Sequence, residues 1–166
     1  IRDSSTSRGL GDVYKRQEED YHRALASSFM LSADNAHAVH PNHPEHTDVT
    51  NCTYMNEGVV VKSHAGQKYT SDGVSMAVVK SLASGADVPL QYFANRSDKA
   101  GGSTLGNIAM AQASMNAVDI GLPQLAMHSS YETAGIKDTY YAIALMKALF
   151  DSHIQETSTH SLEIKR

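Results

Sequence analysis

The chain has 166 residues, 41% of them hydrophobic and 19% charged, enough for one domain with a real core. A formal charge of −4 with histidine neutral offers nothing basic to attract nucleic acid or an anionic membrane, and no apolar run approaches the ~20 residues that cross a bilayer. Cys52 is the single cysteine, so an internal disulfide is excluded and any metal would be held by His, Asp and Glu.

The first segment, IRDSSTSRGLGDVYKRQ, shows no apolar periodicity. Its TSRGLGDVYKRQ portion reads as the in-frame translation of a transposase-type sequencing adapter, so residues 1–17 are taken as non-native and set aside. The remainder carries 10 basic and 16 acidic residues, a net charge of −6, and reads as a cytoplasmic protein.

From Glu18 the pattern alternates between helix and strand. Glu18 to Ala26 suits a short helix, followed by the apolar strand SFML ending just before Asp34. The stretch SADNAHAVHPNHPEH then places His37, His40, His43 and His46 at three-residue spacing. Pro41 and Pro44 interrupt it, and each drives the residue before it out of the α region. The four imidazoles are therefore expected in an extended or turning loop rather than on one continuous stripe. Such a tract is more often a solvated loop than a metal site.

EGVVVKS, Glu57 to Ser63, is a β-branched strand. Ser71-Asp72-Gly73 caps a helix over Val74 to Ala83 that stops at Gly85, and Val88 to Ala94 is another strand. NRSDKAGGSTLG leads into a helix through Met115, and AVDIG follows as a strand. The longest helix is predicted from about Thr133 to Ile154, with an apolar face of Tyr140, Ile143, Ala144, Met146 and Leu149. Residues 155–166 form a polar tail expected to fray.

This order predicts an α/β fold, a sheet flanked by helices. Sites in such sheets gather beyond the carboxyl ends of the strands, and Asp34, Arg96 and His128 each follow a predicted strand. Asp34 and His128 are candidate metal ligands on residue type. The other acids near strand ends, Asp72, Asp98, Asp119 and Glu132, form no recognisable ligand pair.

SADNAHAVHPNHPE, GVVVK, GQKYT, ANRSDKAGGSTLGN and VDIGLPQLAMHSSYETAG, taken in that order, resemble successive blocks of the aspartyl aminopeptidase family of zinc exopeptidases, in the style of its bacterial members. The resemblance runs from Glu18 to about Ser152. It implies an α/β zinc-peptidase domain, interrupted by a dimerisation domain in the family and assembled into large homo-oligomers. It also implies two zinc ions, or another divalent metal, activating a water against the first peptide bond of a peptide, with a preference for acidic amino-terminal residues.

Position by position, the resemblance makes Asp34 a terminal ligand to one metal and His128 a ligand to the other. It places His37 beside the substrate, Lys62 at the substrate's acidic side chain, and Tyr69 as a donor to the scissile carbonyl. Gly102 and Ser103, in the run Gly101-Gly102-Ser103-Thr104 that opens a helix, could receive a carboxylate or carbonyl. His40 would order the loop, with His43 and His46 exposed, so that the run is the loop after a metal-binding carboxylate and not a metal tract.

The family's first metal-binding His, bridging Asp and Glu-Glu pair, the last serving as general base and ligand, find no match after Gln17. Residues 18–154 thus read as the carboxy-terminal part of a catalytic domain, incomplete and inactive alone. Two rivals stay open: a non-catalytic homologue for assembly or peptide binding, and a mononuclear metal protein using Asp34, His37, His40 and His128.

Overall fold

The computed structural model describes residues 18–158 and 161–165, so the adapter-like segment lies outside the described residues. The chain begins with α1 (Glu18–Ala26) and β1 (Phe29–Ala33), then the two-residue strand β2 (Ala36–His37) and a 3-10 turn, Pro44–His46. Next come β3 (Val59–Ser63), α2 (Gly73–Gly85), β4 (Leu90–Ala94), α3 (Leu105–Gln112) and β5 (Asn116–Gly121). The short strands β6 (Pro123–Leu125) and β7 (Thr133–Ala134) precede α4 (Ile136–Phe150) and a final hairpin of β8 (His153–Ser158) and β9 (Ser161–Lys165). Among the described residues no helix is long and apolar enough to cross a membrane.

The main sheet has the order β1-β5-β3-β4. β1 and β5 run parallel, as do β3 and β4, but β3 and β5 are antiparallel, with Val61 opposite Ile120. The sheet is therefore mixed. The carboxyl ends of β1 and β5 lie at one end and those of β3 and β4 at the other, so the expected convergence of Asp34 and Arg96 beyond a common sheet end does not occur. Arg96 pairs instead with Asp98, Nε to Oδ1 at 2.7 Å, and donates to the Glu45 carbonyl.

With Val60 turned to the opposite face, Val59, Val61, Val118 and Ile120 alternate along β3 and β5 and so share one face of the sheet. They pack with Val78, Val79, Leu82 and Ala83 of α2 and Leu145 of α4 in one buried cluster. Asp72 starts α2 by accepting from the Ser75 amide at 2.8 Å. Gly85 is the last residue of α2; the left-handed residue that ends it is Asp87 (φ 55°), and the Val88 amide returns to the Ala83 carbonyl at 2.9 Å.

Two expectations are corrected. On α4, Ala144, Met146 and Leu149 do pack on the core with Tyr141 and Ala142, but Tyr140 and Ile143 are 67% and 58% exposed. They join Ile136 and Phe150 in an outward apolar stripe at helical spacing. The tail does not fray among its described residues: Ile154, Leu162 and Ile164 alternate with polar neighbours, the period of a strand, and pack against the core cluster.

Candidate active site

Asp34 is held where β1 leaves the sheet. Its amide still donates to Ile120 at 2.9 Å, continuing the β1–β5 ladder, while its side chain is 54% exposed beyond it. The contact is close because residue 121 is glycine: a Cβ there would lie 2.0 Å from the Asp34 carbonyl oxygen. One residue on, Asn35 donates to Gln124 Oε1 at 2.5 Å and accepts from the Leu122 amide at 3.3 Å. These bonds start a second small sheet, β2-β6-β7, in which His37 lies opposite Gln124.

That small sheet carries the chain from β6 to His128. His128 has φ 67°, a left-handed backbone costing about 1–3 kcal/mol for a residue with a Cβ. Its amide donates to Glu132 Oε1 at 2.6 Å, which holds the turn and leaves the imidazole exposed. His37 is pinned from behind by buried Thr53, whose hydroxyl donates to the His37 carbonyl at 2.6 Å.

Lys62 is 3% exposed inside β3. Its Nζ lies 3.5 Å from Asp34 Oδ2 and 3.3 Å from the Asn35 carbonyl, and 4.9 Å from the centre of the Tyr69 ring. Tyr69 is itself buried, with its hydroxyl 3.5 Å from Asn95 Nδ2. Asp119 anchors the next residue: its Oδ2 accepts from the Thr70 amide at 2.6 Å and the Thr70 hydroxyl at 3.0 Å. Asp119 is fully buried, and its Oδ1 has no hydrogen-bond partner among the described residues.

These surroundings set the protonation of three groups. Burial pushes the His37 imidazole down, helped by positive charge at Lys62 and His128, so it is neutral with a single N–H at pH 7. Burial pushes the Lys62 ammonium down, against the pull of Asp34 and Asp119. Burial raises the Tyr69 phenol, which stays protonated and able to donate, although the Asn95 hydrogen bond works the other way.

The structure thus gathers Asp34, His37, Lys62 and Tyr69 around the β1–β2 corner, with His128 close enough to His37 to act on its charge. Gly102 and Ser103 are exposed; the Ser103 hydroxyl donates to the Lys68 carbonyl at 3.4 Å. Ser103 shares a depression of about 420 Å³ with Asp34, Thr104 and Gly106. A second cavity, about 290 Å³, runs from His37 and Gln124 past Asn95 and Arg96 to the histidine loop. A carboxylate and an exposed imidazole are donors that suit zinc. Among the described residues, Asp34, His37, His40 and His128 do not supply three ligand atoms within 4.8 Å of one another, as the mononuclear rival would need.

Sequence reasoning passed over the residues behind this corner. Asn35, Thr53, Asp119, Gln124 and Glu132 act through hydrogen bonds with partners 4 to 89 positions away, and nothing in their local spacing marks them.

The family model described as Aminopeptidase I zinc metalloprotease (M18) matches residues 10–150. A probable M18 family aminopeptidase 2 of Clostridium novyi (strain NT) is 50% identical over 160 residues, covering 89% of this chain and 37% of that protein. Aspartyl aminopeptidase 1 of Schizosaccharomyces pombe is 40% identical over 129 residues, covering 78% and 27% respectively. A chain of the S. cerevisiae mApe1 dodecamer superposes with a TM-score of 0.71 at 29% identity, covering 79% of this chain and 28% of that one. The chain therefore spans roughly a third of the length of the curated relatives it matches.

Proposed function

The chain belongs to the M18 family of aminopeptidase I zinc metalloproteases, and from that membership we propose that it is the carboxy-terminal part, over residues 18–154, of the catalytic domain of a cytoplasmic metallo-aminopeptidase. The reaction is hydrolysis of the first peptide bond of a peptide with a free amino terminus. The observation that carries this reading is the β1–β2 corner, where a half-exposed carboxylate, a neutral imidazole, a buried lysine and a buried phenol meet.

In this reading Asp34 and His128 would each hold one of two zinc ions, which would supply a Lewis acid and a water made nucleophilic near neutral pH. The chain's own residues supply the rest of the electrostatics. Neutral His37 donates its N–H to the oxygen that gains charge during the reaction, and protonated Tyr69 donates to the same carbonyl. The backbone beneath both is anchored, at His37 by the Thr53 hydroxyl and beside Tyr69 by the Thr70–Asp119 hydrogen bonds, which favours positioning of the two donors. Ser103, with Gly102 just before it in the chain, borders the depression that Asp34 opens into, where the substrate backbone would lie.

Lys62 provides positive charge for an acidic amino-terminal side chain, a preference that agrees with the name of the fission-yeast relative. Its 3.5 Å approach to Asp34 favours a second role, holding that carboxylate in place. Assembly into a homo-oligomer is supported by the yeast dodecamer and by the outward stripe of Ile136, Tyr140, Ile143 and Phe150.

Two ligands without a general base leave the 166-residue chain inactive. The test compares this chain with the longer polypeptide read from the source gene upstream of Glu18, assayed for release of Asp from an Asp-initiated peptide. Chelator-sensitive activity in the longer protein alone supports the reading. Zinc-dependent activity in the 166-residue chain overturns the inactivity, and none in either form favours a non-catalytic homologue.

A further inference from the structure

The histidine loop is more ordered than its two prolines suggest. Pro44 is the first residue of the 3-10 turn, a position where the amide it lacks is not needed. The His43 and His46 amides each bond to the carbonyl three residues back, the 3-10 pattern of bonding, which brings residues three apart together. The ring centroids of His40 and His43 are 5.4 Å apart, and those of His43 and His46 are 5.6 Å apart. The expectation that these imidazoles do not align is therefore corrected for three of the four; only His37, on β2, stands apart from the row.

We propose that His43, Glu45 and His46, with His40 beside them, form a second binding site for a divalent transition metal, separate from Asp34 and His128. The ligand atoms of His43, Glu45 and His46 all lie within 4.8 Å of one another, a grouping that no other three such residues achieve among the described residues. Both imidazoles converge on one carboxylate oxygen: Glu45 Oε1 is 3.0 Å from His43 Nδ1 and 3.8 Å from His46 Nε2. An ordinary surface pair needs one histidine, whereas here two imidazole nitrogens lie 3.0 and 3.8 Å from one carboxylate oxygen, the spacing of a three-donor cation site. His40 Nδ1 accepts from the Asn42 amide at 3.2 Å, which fixes its ring with the proton on Nε2, so His40 flanks the three donors rather than adding a fourth.

The backbone that presents these side chains is built. The His43 amide returns to His40, His46 to His43 and Thr47 to Pro44, at 3.0, 3.2 and 3.1 Å. Arg96 donates to the Glu45 carbonyl, and its own charge is met by Asp98, which limits its repulsion of a cation. Hydrogen bonds from its own amide and from His43 hold the Glu45 carboxyl below the usual range, so it is ionised at neutral pH. Two imidazole nitrogens and a carboxylate oxygen match zinc, nickel or copper(II) better than calcium or magnesium, which prefer an all-oxygen shell. Water would fill the remaining positions.

The test titrates zinc chloride alone into the metal-stripped 166-residue chain by calorimetry. The variants are His43→Gln/His46→Gln, Glu45→Gln, Asp34→Asn/His128→Gln, and His22→Gln/His153→Gln as a control for scattered surface imidazoles. One zinc equivalent should be lost, or weakened by more than about tenfold, in the first variant and weakened in the second. The same equivalent should survive in the other two, which separates this site from the proposed active site. Far-ultraviolet circular dichroism checks the fold of each variant, and loss in the isosteric Glu45→Gln variant carries the proposal if the double variant misfolds. Unchanged uptake in both His43→Gln/His46→Gln and Glu45→Gln, or equal loss in the His22→Gln/His153→Gln control, overturns the proposal.

Discussion

Asp138 is fully buried in the first turn of α4, yet it serves the strand that carries Lys62. Its Oδ2 accepts from the Asn56 amide at 2.6 Å and its Oδ1 from the Gly58 amide at 2.9 Å. Asn56 reciprocates, its side-chain oxygen accepting from the Lys137 amide at 3.0 Å and so capping α4. Gly58 has φ 119° and no room for a Cβ, which would lie 2.2 Å from the Pro89 carbonyl oxygen. The clamp therefore fixes where β3 begins, three residues before Lys62. Replacing Asp138 with Ala removes two hydrogen bonds to a charged acceptor, each worth about 1.5–3 kcal/mol net. The Asn56 amide can turn to water but the buried Gly58 amide cannot, so we take about 3–4 kcal/mol in all. That corresponds to a fall of about 6–15 °C in Tm for a domain of this size. Asp138→Asn keeps the shape but sets an amide N–H against a backbone N–H, for about 2–3 kcal/mol. Urea unfolding followed by far-ultraviolet circular dichroism, with hydrogen exchange at the Gly58 amide, reads both. Losses below about 0.5 kcal/mol in both variants would refute the clamp.

Gly121→Ala forces a methyl group onto the Asp34 carbonyl and should cost about 1–3 kcal/mol while shifting the β1–β2 corner; full stability with unaltered Asn35 and Gln124 side-chain NMR shifts would contradict this. Lys62→Met in the longer gene product should lower kcat/KM for an Asp-initiated peptide far more than for an Ala-initiated one, whereas an equal fall with lost zinc would assign Lys62 to Asp34 alone. The Asp48 carboxyl is lowered from 3.8 to about 2 by hydrogen bonds from the Thr50 and Asn51 side chains and amides. A depressed carboxyl stabilises the fold above its unfolded value, so the turn over 48–51 should hold at pH 5 and loosen as pH falls from about 4 through 2. Side-chain carboxyl NMR across that range checks it, and a midpoint near 4 would contradict the hydrogen-bonded turn.

Much of the fold was legible because the strands of the main sheet are rich in apolar residues, Val59–Val61 as a continuous run and Val118 and Ile120 on either side of Asp119, with cap signals such as Asp72 between them. Strand direction was not: βαβ reasoning expects parallel neighbours, and the antiparallel meeting of β3 and β5 depends on pairing between residues some 60 positions apart in sequence. On α4 the apolar residues surround much of the helix, so periodicity could not say whether Tyr140 or Tyr141 faces in. In the site, Asp34, His37, Lys62 and Tyr69 stood in blocks that resemble a family and were found together. Asp119 and Asp138 were missed as working groups because a buried carboxylate and a solvated one look identical in sequence; only their distant amide partners distinguish them.

The most direct test of the account is the zinc content of the longer gene product with Asp34→Asn and His128→Ala introduced singly, read beside release of Asp from an Asp-initiated peptide. Each variant should lose tightly bound zinc, and activity should drop by at least about a hundredfold while the protein remains folded. Wild-type zinc content and turnover in either variant would contradict the assignment of that residue, and in both would contradict the metallo-aminopeptidase site itself.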